Sequence, residues 1–163
     1  MAQEPEEVRV AVIHGPNLNL LGQREPTIYG RRSLEDINGD LSTLAAELGI
    51  EVEFCQANGE GELIDFIQAA AARVEGFVIN AGGYTHTSVA LLDALVAVGR
   101  PYVEAHLSNL AARETFRQLS LLAGRAGGVV MGFGAQSYSL ALRGLVETLR
   151  RDTDEGRQAR GRP

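Results

Sequence analysis

Apolar positions along the chain follow two alternating rhythms. Short runs of mostly apolar, β-branched-rich residues at 8–13, 50–55, 76–80, 101–106 and 128–132 read as strands. The first run is apolar almost throughout, as expected of a strand covered on both faces. Between the runs, apolar residues recur with the period of an amphipathic helix. The segment 34–48 shows this most clearly, with Leu34, Ile37, Leu41, Leu44 and Leu48 on one stripe. Ser33 is its expected N-cap, with Asp36 three residues on, and Gly49 its stop. Further helices are predicted over 62–74, 88–98, 112–122 and 135–151, the last with Tyr138, Leu142, Leu145 and Leu149 facing inward. After Asp152 the residues are polar and charged, and a disordered tail is expected.

Strands alternating with helices predict an α/β fold: one domain with a flavodoxin-like, doubly wound, five-stranded parallel sheet in the order 2-1-3-4-5. Ligands of such sheets bind outside the carboxyl ends of the strands, near the switch point between strands 1 and 3. The polar and glycine-rich segments fall at those ends. HGPNLN (14–19) follows strand 1, NAGGYTHT (80–87) closes strand 3, and EAHLSN (104–109) closes strand 4. The three histidines, His14, His86 and His106, are thereby expected on one rim.

Composition narrows the chemistry. The net charge of −6 argues against a general nucleic-acid binder, which needs a basic face. All 15 basic residues are arginine. The absence of lysine excludes a P-loop and any lysine Schiff base. The single cysteine, Cys55, allows no internal disulfide and suits a reducing compartment. MAQEPEE at the start lacks the character of a signal peptide, and no apolar run approaches the ~20 residues that span a bilayer. A cytoplasmic protein without membrane or nucleic-acid partners is expected.

The connection between His14 and Ser33 is long for a compact domain and carries Arg24, Pro26, Tyr29 and Gly30. It reads either as a surface loop anchored by Tyr29 or as a lid carrying a tyrosine and an arginine over a ligand. Tyrosine is a poor base at its ordinary pKa of ~10, and ionising it at neutral pH takes roughly 4 kcal/mol of differential stabilisation. A nearby guanidinium favours the phenolate, and Arg24 or Arg113 is placed to supply it. Glu104 and His106 are spaced i, i+2 in a strand and so share a face, where a carboxylate orients an imidazole for general-acid work. Backbone amides near Leu107 and Ser108 suit a carboxylate. Asn80 and His86 suit hydroxyl groups, with Arg113 and Arg117 flanking the ligand or lining an exposed helix face. Together these groups fit a small, anionic, polyhydroxylated substrate and proton abstraction beside a carbonyl with loss of water. Three other readings carry their own requirements. A flavin electron carrier needs a phosphate-cradling loop, where this chain has Pro16. A receiver domain needs carboxylates where His14 and Asn80 stand. A metal site would draw on His14, His86 and His106.

The segments GPNLNLLGQREPTIYG, QANGEGELIDFI, INAGGYTHTSVALLDAL, VEAHLSN and GFGAQSYSLAL also resemble, in order, the signature blocks of type II 3-dehydroquinate dehydratases, over about residues 8–150. The resemblance implies a cofactor-free and metal-free lyase that converts 3-dehydroquinate to 3-dehydroshikimate by anti-elimination, in the shikimate pathway of aromatic biosynthesis. It implies Tyr29 as the base, Arg24 and Arg113 favouring its deprotonated form, and an enolate stabilised through a water held by Asn17. His106 protonates the departing hydroxyl and Glu104 orients it. Asn80, His86, Leu107, Ser108 and Arg117 contact substrate, and Asp93 reaches in from a neighbouring subunit of a trimer-built dodecamer. The chain departs from the family's usual residues at His14, Ala57, Gly59, Leu92, Ala111, Leu119 and Leu121. These departures leave a shifted substrate or a non-catalytic role on the same scaffold as the rival within the family.

Overall fold

The computed structural model describes residues 7–23, 27 and 31–160, with side chains placed up to residue 156. Its centre is a parallel sheet of five strands in the order β2-β1-β3-β4-β5. These are β1 (Arg9–His14), β2 (Glu51–Gln56), β3 (Gly76–Asn80), β4 (Tyr102–His106) and β5 (Gly128–Met131). The expected doubly wound order is therefore the observed one. β1 and β3 lie side by side in register, with Val10 opposite Gly76 and His14 opposite Asn80. The chain turns toward opposite edges from this pair, which creates the switch point.

Among the described residues the α-helices are α1 (Leu34–Leu48), α2 (Glu60–Ala70), α3 (Val89–Ala97) and α4 (Gln136–Arg160). α1 starts at a capping box, in which the Ser33 hydroxyl accepts from the Asp36 N–H and the Asp36 carboxylate accepts from the Ser33 N–H. It ends where Gly49 takes the left-handed conformation. α3 likewise begins at Ser88, whose hydroxyl accepts from the Leu91 N–H.

Strand parity divides the interior into two layers. Val10 and Val12 of β1, Val78 of β3 and Ala105 of β4 pack against Leu41 and Leu44 of α1 and Leu142 and Leu145 of α4. Ala11, Ile13, Phe77 and Ile79 point the other way, onto Leu63 and Ile67 of α2 and Leu91 and Leu95 of α3. Each fully buried leucine or isoleucine contributes about 1.5–3 kcal/mol, so each layer anchors its own pair of helices.

Three expectations are corrected. No α-helix forms over 112–122; the chain there makes short 3-10 turns at Leu110–Ala112, Thr115–Arg117 and Ala123–Arg125. Polar side chains take the backbone bonds that a helix would have used. Gln118 Nε2 donates to the carbonyls of Ala111 and Arg113, Asn109 Oδ1 accepts from the Ala111 N–H, and Ser120 Oγ accepts from the N–H groups of Leu122 and Ala123. The Leu121 N–H goes to the carbonyl of Thr85. The second correction is the tail after Asp152, which continues α4 to Arg160. The apolar stripe ends near Leu149, yet the segment holds good helix formers, and the Thr153 hydroxyl donates to the Leu149 carbonyl at 2.9 Å. α2 also ends earlier than its pattern suggests, at Ala70, whose carbonyl receives the N–H groups of both Arg73 and Val74.

Candidate active site

A cavity of about 170 Å³ opens at the carboxyl ends of β1, β3 and β4. Its floor comes from the turn after β1. Gly15 lies so close to the chain after β3 that an added Cβ would stand 2.4 Å from the carbonyl of Ala81. The Gly15 N–H donates to the Asn80 carbonyl at 2.7 Å. Asn17 follows in the left-handed region (φ 67°), which asparagine tolerates better than most residues, and opens a 3-10 turn at Leu18–Leu20. Its N–H donates to Asn58 Oδ1 at 3.0 Å, which also accepts from Gln56 Nε2. Tyr84 holds the Asn58 carbonyl through its hydroxyl. Asn58 thus props the turn that presents Asn17. Sequence reasoning assigned it no role, although it follows the end of β2, where site residues were to be sought.

Asn80, the last residue of β3, is buried and lines the cavity; its Oδ1 accepts the Gly82 N–H at 3.1 Å. His86, in the 3-10 turn that follows, lines it too. Its Nδ1 donates to the Leu119 carbonyl at 2.7 Å, which assigns that nitrogen a proton and leaves Nε2 as the other polar edge of the ring. From β4 come Glu104 and His106, both buried. They share a face, as the i, i+2 spacing requires, and His106 Nε2 is hydrogen-bonded to Glu104 Oε1. That bond commits Nε2, so the proton chemistry of the cavity-lining ring falls to Nδ1. The Ser120 hydroxyl also lies on Glu104, 2.7 Å from Oε1 and 2.9 Å from Oε2, and is oriented by the two N–H groups it accepts. Sequence reasoning missed Ser120. Its segment was read as helix, and only the irregular path brings the hydroxyl under the glutamate.

Leu107, Ser108, Arg113 and Arg117 complete one wall. Arg113 donates to the Ser108 hydroxyl at 3.2 Å. Glu114 lies outside, 3.5 Å from Arg113 and 3.2 Å from Arg117. Its own backbone N–H and then the two guanidinium groups hold its carboxyl below the usual range. Among the described residues lining the cavity there is no carboxylate, so the two arginines leave it positive and suited to an anion.

Three further residues were expected at this site. Tyr29 and Arg24 lie outside the described residues. Asp93 is exposed on α3 and does not line the cavity of its own chain. The three-histidine metal reading is overturned by geometry. His14 is wholly buried on the α1–α4 side of the sheet, with its ring nitrogens 2.8 Å from the Tyr138 hydroxyl and from Asn38 Oδ1. His106 points to the opposite face. Among the described residues no cluster of three or more metal-ligating side chains forms.

Comparison with known proteins finds relatives along nearly the whole described chain. The family model described as Dehydroquinase class II matches residues 8–146. A 3-dehydroquinate dehydratase of Prochlorococcus marinus (strain NATL1A) is 58% identical over 140 residues, covering 86% of this chain and 97% of the relative. A protein of the same name from Carboxydothermus hydrogenoformans is 53% identical over 149 residues, covering 91% and 97%. The crystal structure of a type II dehydroquinase from Butyrivibrio crossotus superposes with a TM-score of 0.83 at 40% identity, covering 85% of this chain and 97% of that one. With the family model spanning nearly all of the described fold, and relatives matched along almost their full length, the chain belongs to the class II dehydroquinases.

Proposed function

We propose that this chain dehydrates 3-dehydroquinate to 3-dehydroshikimate, as a hydro-lyase of the shikimate pathway. The observation that carries the reading is the coupled Ser120–Glu104–His106 group at the edge of a positive cavity floored by Asn17 and Asn80. A carboxylate-bearing, hydroxylated ring meets complementary partners there: the arginines and the chain at Leu107 and Ser108 for the carboxylate, and Asn80 and His86 for hydroxyl groups.

In the proposed sequence, Tyr29 removes a proton from the carbon beside the ketone, with Arg24 and Arg113 favouring its phenolate. The electron pair moves onto the carbonyl oxygen to give an enolate, which Asn17 stabilises through a water. Collapse of the enolate expels the hydroxyl group on the opposite face. His106 donates its proton to that group, and the products are the conjugated enone and water. Glu104 holds the imidazole and offsets its positive charge before transfer. The roles of Tyr29 and Arg24 rest on the family and its motif. No step calls for a metal or a cofactor.

We further propose the trimer-built dodecamer, with Asp93 entering a neighbour's site. Asp93 shares an exposed face of α3 with Val89 and Val96, which are 58% and 39% exposed, and apolar side chains in that setting favour burial against another subunit. A cytoplasmic location follows from the pathway; among the described residues no helix is long and apolar enough to cross a membrane.

The test is direct. Purified protein mixed with 3-dehydroquinate should build the ultraviolet absorbance of the conjugated product, unchanged by EDTA. Tyr29→Phe and His106→Asn should each lower kcat by at least ~100-fold, the usual weight of a general acid or base. Folded protein without turnover would overturn the reading in favour of a shifted substrate.

A further inference from the structure

Asn80, which lines the cavity, is backed by polar groups that do not line it. His14 stands opposite Asn80 across the β1–β3 pair, and residues so paired direct their side chains to the same face of the sheet. The reaction proposed above gives His14 no part, yet a wholly buried imidazole needs partners for both nitrogens. It has them: Nε2 is 2.8 Å from Asn38 Oδ1 on α1, and Nδ1 is 2.8 Å from the Tyr138 hydroxyl on α4. The Tyr138 hydroxyl is itself wholly buried, and the Asn80 side chain, directed to the same face as His14, is a polar neighbour able to donate toward it.

The direction of these bonds is determined from the cavity end. The Gly82 N–H can only donate, so it holds Asn80 Oδ1 on its side at 3.1 Å. The Asn80 amide nitrogen is then left for Tyr138, and the phenol oxygen accepts. The phenol hydrogen in turn donates to His14 Nδ1, and His14 Nε2–H donates to Asn38. Burial keeps both rings neutral, pushing the His14 imidazole down to about 4 and the Tyr138 phenol well above its ordinary value. A neutral imidazole offers one donor and one acceptor, as this chain of bonds requires. An Asn80 flip would set its amide hydrogens against the Gly82 N–H and break the bonds at both ends.

We propose that His14 and Tyr138 are positioning residues whose buried relay, from Asn38 to Asn80, fixes which atoms of the Asn80 amide meet the substrate. The inference rests on the proposed function, since it assigns Asn80 to substrate binding. The relay acts on binding geometry rather than on proton transfer, because Glu104 and His106 lie on the opposite side of the sheet.

Removing the phenol hydroxyl keeps the ring and cuts the relay. Tyr138→Phe should raise KM for 3-dehydroquinate about tenfold, equivalent to about 1.4 kcal/mol, with kcat within about threefold of the unaltered protein. In an Asn80→Ala background the same substitution should change KM by less than about twofold, because the residue it acts through is gone. A KM unaffected by Tyr138→Phe, or raised equally in both backgrounds, overturns the proposal. A purely structural role would lower thermal stability without this dependence on Asn80. Should Tyr138→Phe fail to fold, Asn38→Leu at the outer end of the relay should raise KM about threefold, again only when Asn80 is present. Nitrogen-15 NMR of the unaltered protein tests the relay itself: the Nε2–H tautomer of His14 is expected, and the Nδ1–H tautomer overturns it. That spectrum also separates the two ideas, since absent turnover with the Nε2–H tautomer would sink the proposed function and leave the relay standing.

Discussion

Ser120 illustrates how a single hydroxyl gains importance from its neighbours. It accepts from two backbone N–H groups and thereby points its own hydrogen at Glu104, the group that orients His106. Ser120→Ala should lower kcat about tenfold with little change in KM, since a bond to a carboxylate is typically worth about 1.5–3 kcal/mol. Steady-state kinetics on the folded variant decides this, and an unchanged kcat would assign Ser120 to local structure alone. The Glu104–His106 pair was legible beforehand because strand parity is a property of two positions only. Ser120 was not, because its role depends on where an irregular segment passes in space. His14 shows the opposite error. Its place at a strand end put it on one rim with His86 and His106, but parity turns it to the other face, where Asn38 and Tyr138 occupy both nitrogens. Tyr29 and Arg24 fall outside the described residues, so their placement as base and activator rests on the motif.

Among the elements, the strands and α1 were legible to within a residue or so. Each rests on a local signal: a run of β-branched residues, or a capping box and a terminal glycine. The 112–122 segment was misread because its apolar spacing is helical while its polar side chains claim the backbone. Periodicity records what a side chain prefers to face, and it is silent on which hydrogen bond the neighbouring backbone will make. The turn after β1 supplies a prediction at this scale. Gly15→Ala places a methyl 2.4 Å from the Ala81 carbonyl, both of backbone, so neither side yields without moving a strand end. The substitution should destabilise the fold by about 1–3 kcal/mol, as overpacking does, and should weaken substrate binding because Asn17 and Asn80 flank the displaced contact. Urea midpoints and KM measured together would check it; a loss of stability with binding intact would show that the loops adjust independently.

For the molecule as a whole, the buried His14 makes stability depend on pH. Its folded-state pKa is pushed down to about 4 by burial, opposed by the bond to Asn38, while the unfolded chain titrates near 6.5. Between those values the unfolded state binds the extra proton. The stabilisation is therefore complete above pH 6.5, declines as the pH falls toward 4, and amounts to on the order of 3 kcal/mol. Urea unfolding from pH 8 to pH 4 should show this loss, and His14→Asn should show a shallower decline over the same interval. Equal slopes would refute the assignment. The sheet order was legible because alternating elements admit few topologies, whereas subunit assembly depends on surfaces that no local pattern reports. The two-layered interior has a practical meaning for how such a protein can change. Asn80 and its supports belong to the α1–α4 layer, and Glu104 with His106 to the other, so on the roles proposed above the sheet separates what backs one substrate-binding amide from what backs the proton donor. On those roles, substitutions behind Asn80 would retune how that amide holds its ligand, and substitutions behind Glu104 how readily His106 gives up its proton. A scaffold of this kind offers selection two separate places to act.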